Sequence, residues 1–172
     1  SGSLGMKGQD FHEIVVLGDN ARIHNTLFEN VDMSRSNLRG VEFEKCGFER
    51  CFLQGSLLAQ SRFDDCEFNA VNAIGCDMKD VDFVYCQSTT FRMDDSRLEE
   101  ATVIASEFSR TSFAGCNLDK ALFRDSTIWD SSFDGATGRT EEIKAFHERI
   151  QVDKQTSESI MGMYHPIAHR IA

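Results

Sequence analysis

Apolar residues recur along this chain at every fifth position, reading Ile23, Phe28, Met33, Leu38, Phe43, Phe48 and onward to Phe133 without a slip in register. Two residues ahead of each sits a second class, nearly always small: Ala21, Thr26, Val31, Ser36, Val41, Cys46, Cys51 and so on to Ser131. A period of five matches neither the 3.6 of a helix nor the 2 of a flat strand. Self-similarity at a fixed period marks a repeat architecture. Two inward positions in every five residues require the chain to turn a corner every five residues. Four such corners close a square coil of twenty residues, and stacked coils bury both inward classes as columns.

The repeating unit is a small residue, then Asn, Asp or Arg, then Leu or Phe, then two variable positions. It is written Ser36-Asn37-Leu38-Arg39-Gly40, Cys76-Asp77-Met78-Lys79-Asp80 and Cys116-Asn117-Leu118-Asp119-Lys120. From Ala21 to Ala136 this pattern resembles the pentapeptide-repeat family. The resemblance implies an all-β fold, a right-handed four-sided parallel β-helix, here a solenoid of about six coils.

Sorting at period twenty tests four faces on the sequence itself. One column reads Leu38, Leu58, Met78, Leu98, Leu118; a second reads Phe28, Phe48, Phe68, Ser88, Phe108, Ile128. A third reads Ile23, Phe43, Phe63, Phe83, Val103, Phe123, and Phe113 and Phe133 belong to the fourth. A period of five alone does not separate unbranched aliphatics from phenylalanines, so the sorting supports four faces. Ala73 and Ser88 are too small for their class and Phe91 too large for its own. The Phe91 ring is therefore expected to fill the volume those two leave. Gly55, Gly75, Gly115 and Gly135 mark one corner of the coil, with Asp95 standing in the gap.

Three segments follow. Residues 1–10 hold Ser-Gly-Ser-Leu-Gly ahead of Met6, read as a vector-derived remnant, and a short N-terminal extension. Residues 11–136 are the β-helix, opened by a cap strand over Phe11–Leu17. Residues 137–172 are a C-terminal capping helix and tail. Thr140 is expected to N-cap that helix, with Glu141 and Glu142 in its first turn and Ile143, Phe146 and Ile150 on one face. Caps are needed because solenoid ends expose unpaired backbone and apolar cross-section.

Composition narrows the function. The chain has 28 acidic and 18 basic residues, a net charge of −10, which disfavours direct nucleic-acid binding and suits a basic partner surface. No apolar run of membrane-spanning length and no basic-then-apolar leader is present, so the chain is expected to be cytoplasmic. All six cysteines (Cys46, Cys51, Cys66, Cys76, Cys86, Cys116) fall in the small inward class, where a free thiol packs as a small hydrophobe. Stacked thiols in a column are packing rather than a metal cage, which converges three or four ligands on one point. The histidines lie at 12, 24, 147, 165 and 169, and Pro166 interrupts the last pair. No nucleophile–base pair, phosphate loop, metal set or cofactor set is visible, so no enzyme is expected.

Outward positions must carry the function. Glu29, Glu49 and Glu67 fall near one another, and Asp80, Asp82, Asp94, Asp95, Glu99 and Glu100 gather mid-rod among basic residues. Val84, Tyr85, Ile104, Leu122 and Trp129 are outward apolar residues that the repeat does not require, and are the candidate partner contacts. The segment from Ile160 to Ile171 is apolar enough either to cover them or to join a second subunit as a homodimer. The expected function is a non-catalytic module in which a rigid acidic rod binds another protein. The family resemblance adds two alternatives. One is a DNA mimic that binds a topoisomerase such as gyrase and protects it from quinolones. The other is a bacterial effector delivered into host cells.

Overall fold

The structure, a computed structural model, describes residues 4–7, 20–138 and 150–164. From residue 21 onward the chain winds as a four-sided parallel β-helix, each residue pairing with the one twenty positions further on. The first face is a six-stranded parallel sheet formed by Arg22–His24, Glu42–Glu44, Arg62–Asp64, Asp82–Val84, Thr102–Ile104 and Leu122–Arg124. The second is an eight-stranded parallel sheet that starts at Leu4–Lys7 and ends at Gln151–Val152. Between those ends lie Thr26–Glu29, Gly47–Glu49, Glu67–Asn72, Gln87–Arg92, Glu107–Ser112 and Thr127–Trp129. The fourth face is held by single bridges, such as Asp77 with Arg97; the third is held by bridges such as Phe52 with Asn72 and, mid-rod, by the ends of the second-face strands, where Val71 and Thr111 pair with Phe91.

Every fifth residue from Asn20 to Gly135 has a positive φ, nineteen of them non-glycine. Such a conformation reverses the backbone, and it is what turns the chain from one face to the next. The corners leaving the third and fourth faces are closed turns; the Ser56 N–H, for example, donates to the Leu53 carbonyl at 3.1 Å. A turn of this kind requires φ > 0 at its third residue, which favours glycine. Gly40, Gly55, Gly75, Gly115 and Gly135, the positive-φ glycines among the described residues, all sit at these corners. Asp95 takes the corner role in the gap, and its carboxylate occupies the space a side chain at Gly115 would need.

The interior is one continuous core. Leu38, Phe48, Phe63, Phe68, Met78, Phe83, Leu98, Phe108, Phe113, Leu118 and Phe123 are all buried, as is Phe91. Phe28, Phe48 and Phe68 stack face to face at 5.0 and 5.2 Å, and Phe43, Phe63 and Phe83 at 4.9 and 5.2 Å. The two stacks meet edge to face, as between Phe63 and Phe68 at 5.2 Å. That is the geometry favoured by the aromatic quadrupole. At Ser88 the second column has no ring, and Phe91 stacks on Phe68 at 4.4 Å in its stead. The Ser88 hydroxyl then pairs with Thr111 at 2.6 Å, so both polar groups are satisfied inside the core.

The cysteines do more than fill space. Cys66 donates its S–H to the Phe43 carbonyl at 3.3 Å, Cys86 to Phe63 at 3.2 Å and Cys76 to Leu53 at 3.0 Å. Ser56 and Ser96 make the same bond to Met33 and Ala73, at 2.8 and 3.0 Å. Where the small inward residue is cysteine or serine, it can thus supply a donor to a buried carbonyl as well as fill space.

At the ends the described residues hold elements that the sequence expectation did not name. Leu4–Lys7 spans the end of the five-residue remnant and the start of the N-terminal extension, and it pairs in parallel with Thr26–Glu29, Met6 opposite Phe28. Its backbone supplies the partners that the first strand of an open sheet lacks. The cap strand expected at Phe11–Leu17 lies outside the described residues, as does the helix expected from Thr140, apart from Ile150. The described helix is Lys154–Tyr164, further along the chain. It follows Gln151–Val152, which pairs with Thr127–Ile128, and it lies across the end of the last coil.

Within the rod, small residues of several coils offer a hydroxyl to the coil before; the Thr111 N–H, for example, donates to Ser131 Oγ at 3.1 Å. At the end of the rod, one side of the helix supplies the acceptors. The N–H groups of Asp130, Ser131 and Phe133 donate to Asp153 Oδ1, Thr156 Oγ1 and Ser159 Oγ at 3.1, 3.0 and 2.7 Å. Ile160 closes the core end and is 1% exposed.

Candidate interaction surface

On the first face the residues either side of each central core residue point outward. Their ladder partners form two vertical columns. One runs Asp64, Val84, Ile104, Arg124; the other runs Arg62, Asp82, Thr102, Leu122. Val84 and Ile104 are direct ladder neighbours. Leu122 shares their face but stands in the other column, one coil beyond Ile104. Tyr85 follows Val84 at the corner, held at φ 55 with 63% of its surface exposed. Val84, Ile104 and Leu122 are half-buried. Four of the five expected contacts therefore share the first face or its corner, with Val84 and Ile104 adjacent, Tyr85 beside Val84, and Leu122 one coil further on. Trp129, 47% exposed, is on the second face beside Ser109 and apart from them.

Leu27 and Phe52, 42% and 49% exposed, are outward apolar residues that the sequence expectation did not include. Leu27 lies on the second face and Phe52 on the third, with Gly47 and Asn72 as ladder neighbours. Their place in the pentad, just ahead of a central residue, was the signal that could have found them. The described part of the tail does not reach the first-face patch. Ile160, Thr156 and Met163 are committed to the end of the rod.

Charge is spread over all four faces, and arginines tie successive coils together. Arg22 contacts Glu42 at 3.1 Å, Arg50 contacts Glu29 and Glu49 at 3.0 and 2.8 Å, and Arg62 contacts Asp64 and Asp82 at 3.5 and 3.7 Å. Exposed pairs of this kind contribute about 0–1 kcal/mol each. The carboxylates expected to gather mid-rod divide between two corners. Asp94 and Asp95 lie where the third face turns, and Asp80, Asp82 and Glu100 where the fourth face meets the first. Burial pushes the Asp82 carboxyl up from its ordinary value, against the pull of Arg62.

Three of the buried thiols are poor candidates for chemistry. Burial pushes Cys76, Cys86 and Cys116 up to about 12. A neutral thiol is neither a nucleophile nor a strong metal ligand. Among the described residues no group of three or more His, Cys, Asp or Glu converges on one point. No described helix is long and apolar enough to cross a membrane.

Comparison with known proteins bears on the fold. The model of the pentapeptide repeats matches in eight copies, over residues 19–55, 48–84 and 92–137. The stretch it passes over, 85–91, holds Ser88 and Phe91, where the aromatic column departs from the repeat. No curated protein matches the chain.

Among solved structures, the chain is similar to a trypsin-treated variant of QnrB1, a plasmid-mediated fluoroquinolone resistance protein. Identity is 15% and the TM-score 0.44, over 92% of this chain and 94% of that one. HetL, a pentapeptide repeat protein involved in heterocyst differentiation regulation in the cyanobacterium Nostoc sp. strain PCC 7120, is 12% identical. Its TM-score is 0.28, over 86% of this chain and 84% of that one. Rfr23, a pentapeptide repeat protein from the cyanobacterium Cyanothece 51142, is 11% identical with a TM-score of 0.29, over 87% and 88%. With the repeat model matched across nearly the whole coil register, the chain belongs to the pentapeptide-repeat family.

Proposed function

We propose that this protein is a non-catalytic interaction module, a rigid acidic rod that binds a partner protein through its first face. The observation that carries this reading is Tyr85, 63% exposed at a corner beside the ladder pair Val84 and Ile104. Contiguous apolar surface on an otherwise polar protein marks a contact site. Tyrosine is among the residues that dominate binding energy at interfaces. The inward positions are spoken for by the core, which leaves partner recognition to outward side chains such as these. A DNA-mimic reading draws on the net charge of −10, but the arginines set between carboxylates along the ladder interrupt the rows such mimicry needs.

Affinity capture from the native cytoplasm tests the proposal, run in parallel with Tyr85→Ala and Ile104→Asp. Loss of the captured protein with both variants is the expected result. Partners retained by both place the contact elsewhere on the rod.

A further inference from the structure

The first-face patch also carries the chemistry of its partner, and this inference rests on the interaction reading above. We propose that Val84, Ile104, Leu122 and Tyr85 receive a cationic amphipathic helix of another protein, lying along the rod axis. Spacing and charge both point to it. Successive coils present Val84 and then Ile104 at the strand separation of about 4.8 Å. A helix repeats its apolar stripe every turn, about 5.4 Å. Over that step the mismatch is only about 0.6 Å, within what side chains absorb. A strand docked in the same direction repeats its face at about 6.6 Å and falls out of step within one coil.

The charge around the patch fixes the sign of the flanks. Across the coil, Asp82 and Glu100 stand on one side of the Val84–Ile104 column and Glu107 on the other. Asp64 and Asp65 close its N-terminal end. Arg124, next after Ile104 in the column, and Arg62, already shared between Asp64 and Asp82, offset part of that charge. A helix with lysine or arginine beside its apolar stripe meets carboxylates on both sides. A helix with acidic flanks is repelled, and complementarity of this kind governs selection and association rate.

The test uses the full chain and a synthetic helical peptide with leucines at i, i+3, i+4 and i+7 flanked by lysines, beside its glutamate-flanked counterpart. Fluorescence anisotropy reads affinity, and amide chemical shifts read location. The expected result is saturable binding of the lysine peptide, with shifts centred on Thr102–Ile104 and Val84. Affinity is expected to fall at least about tenfold for the glutamate peptide, for Ile104→Asp and for Tyr85→Ala, as for residues at the centre of an interface. Tyr85 is exposed, so that variant leaves the core intact. Equal binding of the two peptides, unchanged affinity in both variants, or shifts away from the first face each overturn the inference. A natural partner captured through Tyr85 and Ile104 that docks no cationic helix overturns it while the interaction reading stands. Partners indifferent to both residues remove the two together.

Discussion

Phe91 stacks on Phe68 with ring centroids 4.4 Å apart and planes 8° from parallel, closer than Phe28 to Phe48 or Phe48 to Phe68 in the column it continues. The ring enters from a neighbouring column to occupy the space opposite Ser88. Beyond it the stacking moves to another face, where Phe113 and Phe133 lie 4.7 Å apart. Phe91 is thus the bridge across which the aromatic stack changes faces.

Phe91→Ala is expected to cost about 3–5 kcal/mol, because the coils on either side hold the cavity open. Installing Ser88→Phe together with Phe91→Val restores a ring and a small residue to their usual places, and is expected to recover most of that loss. Thermal unfolding of the two variants checks both statements. A midpoint unchanged by Phe91→Ala would mean the ring is not holding the stack together.

Thr90 sits at a corner with φ 68, a conformation that burdens a β-branched residue. Asn30 occupies the same corner three coils earlier at φ 55. Thr90→Asn is therefore expected to stabilise the rod by up to about 1 kcal/mol, since asparagine tolerates the left-handed region. Denaturant unfolding measures it; a lowered midpoint refutes the strain.

Asp153 caps the helix Lys154–Tyr164 and ties it to the rod. Desolvation works against its charge, but hydrogen bonds from Thr156 and the Asp130 amide hold its carboxyl below the ordinary value. The contribution of such a group is complete above the unfolded value of about 3.9 and is lost as pH falls through the lower folded value. Asp153→Ala is expected to destabilise the end of the rod by roughly 0.5–2 kcal/mol at neutral pH. That difference should shrink as pH drops through this window. Melting curves from pH 7 down to about pH 2 follow it, and a constant difference counts against the cap.

Cys76, Cys86 and Cys116 should react slowly with alkylating reagents at neutral pH and together on unfolding, because they are buried and pushed up to about 12. Cys76→Ser keeps the donor to Leu53 and copies Ser56 and Ser96 in its own column. It is expected to fall within about 1 kcal/mol of the parent. Cys76→Val removes the donor and should cost about 0.5–1.5 kcal/mol, since the Leu53 carbonyl still accepts from the Ser56 N–H. Equal stability of the two variants would show the bond contributes nothing.

Much of the fold was legible along the chain, and the reason is local. With a corner every five residues, the number of a residue decides whether it points in, out or around. That rule placed Leu38, Phe63, Leu98 and the six cysteines correctly in the core. It also flagged Ser88 and Phe91, because a misfit stands out against a fixed register. The rule is silent where the register stops. The cap formed by Asp153, Thr156, Ser159 and Ile160 answers N–H groups of Asp130, Ser131 and Phe133, which are unpaired only once the last coil has closed.

The sequence by itself determined the repeat, the four faces and the direction of each side chain, since these follow from spacing within a few residues. Only the tertiary structure decided which outward side chains are neighbours. Val84 meets Ile104 across twenty residues, Arg62 falls between Asp64 and Asp82, and Trp129 is carried to another face. Adjacency between coils depends on closure of the whole turn, so the contact surface and the end cap come into being only when the coils stack.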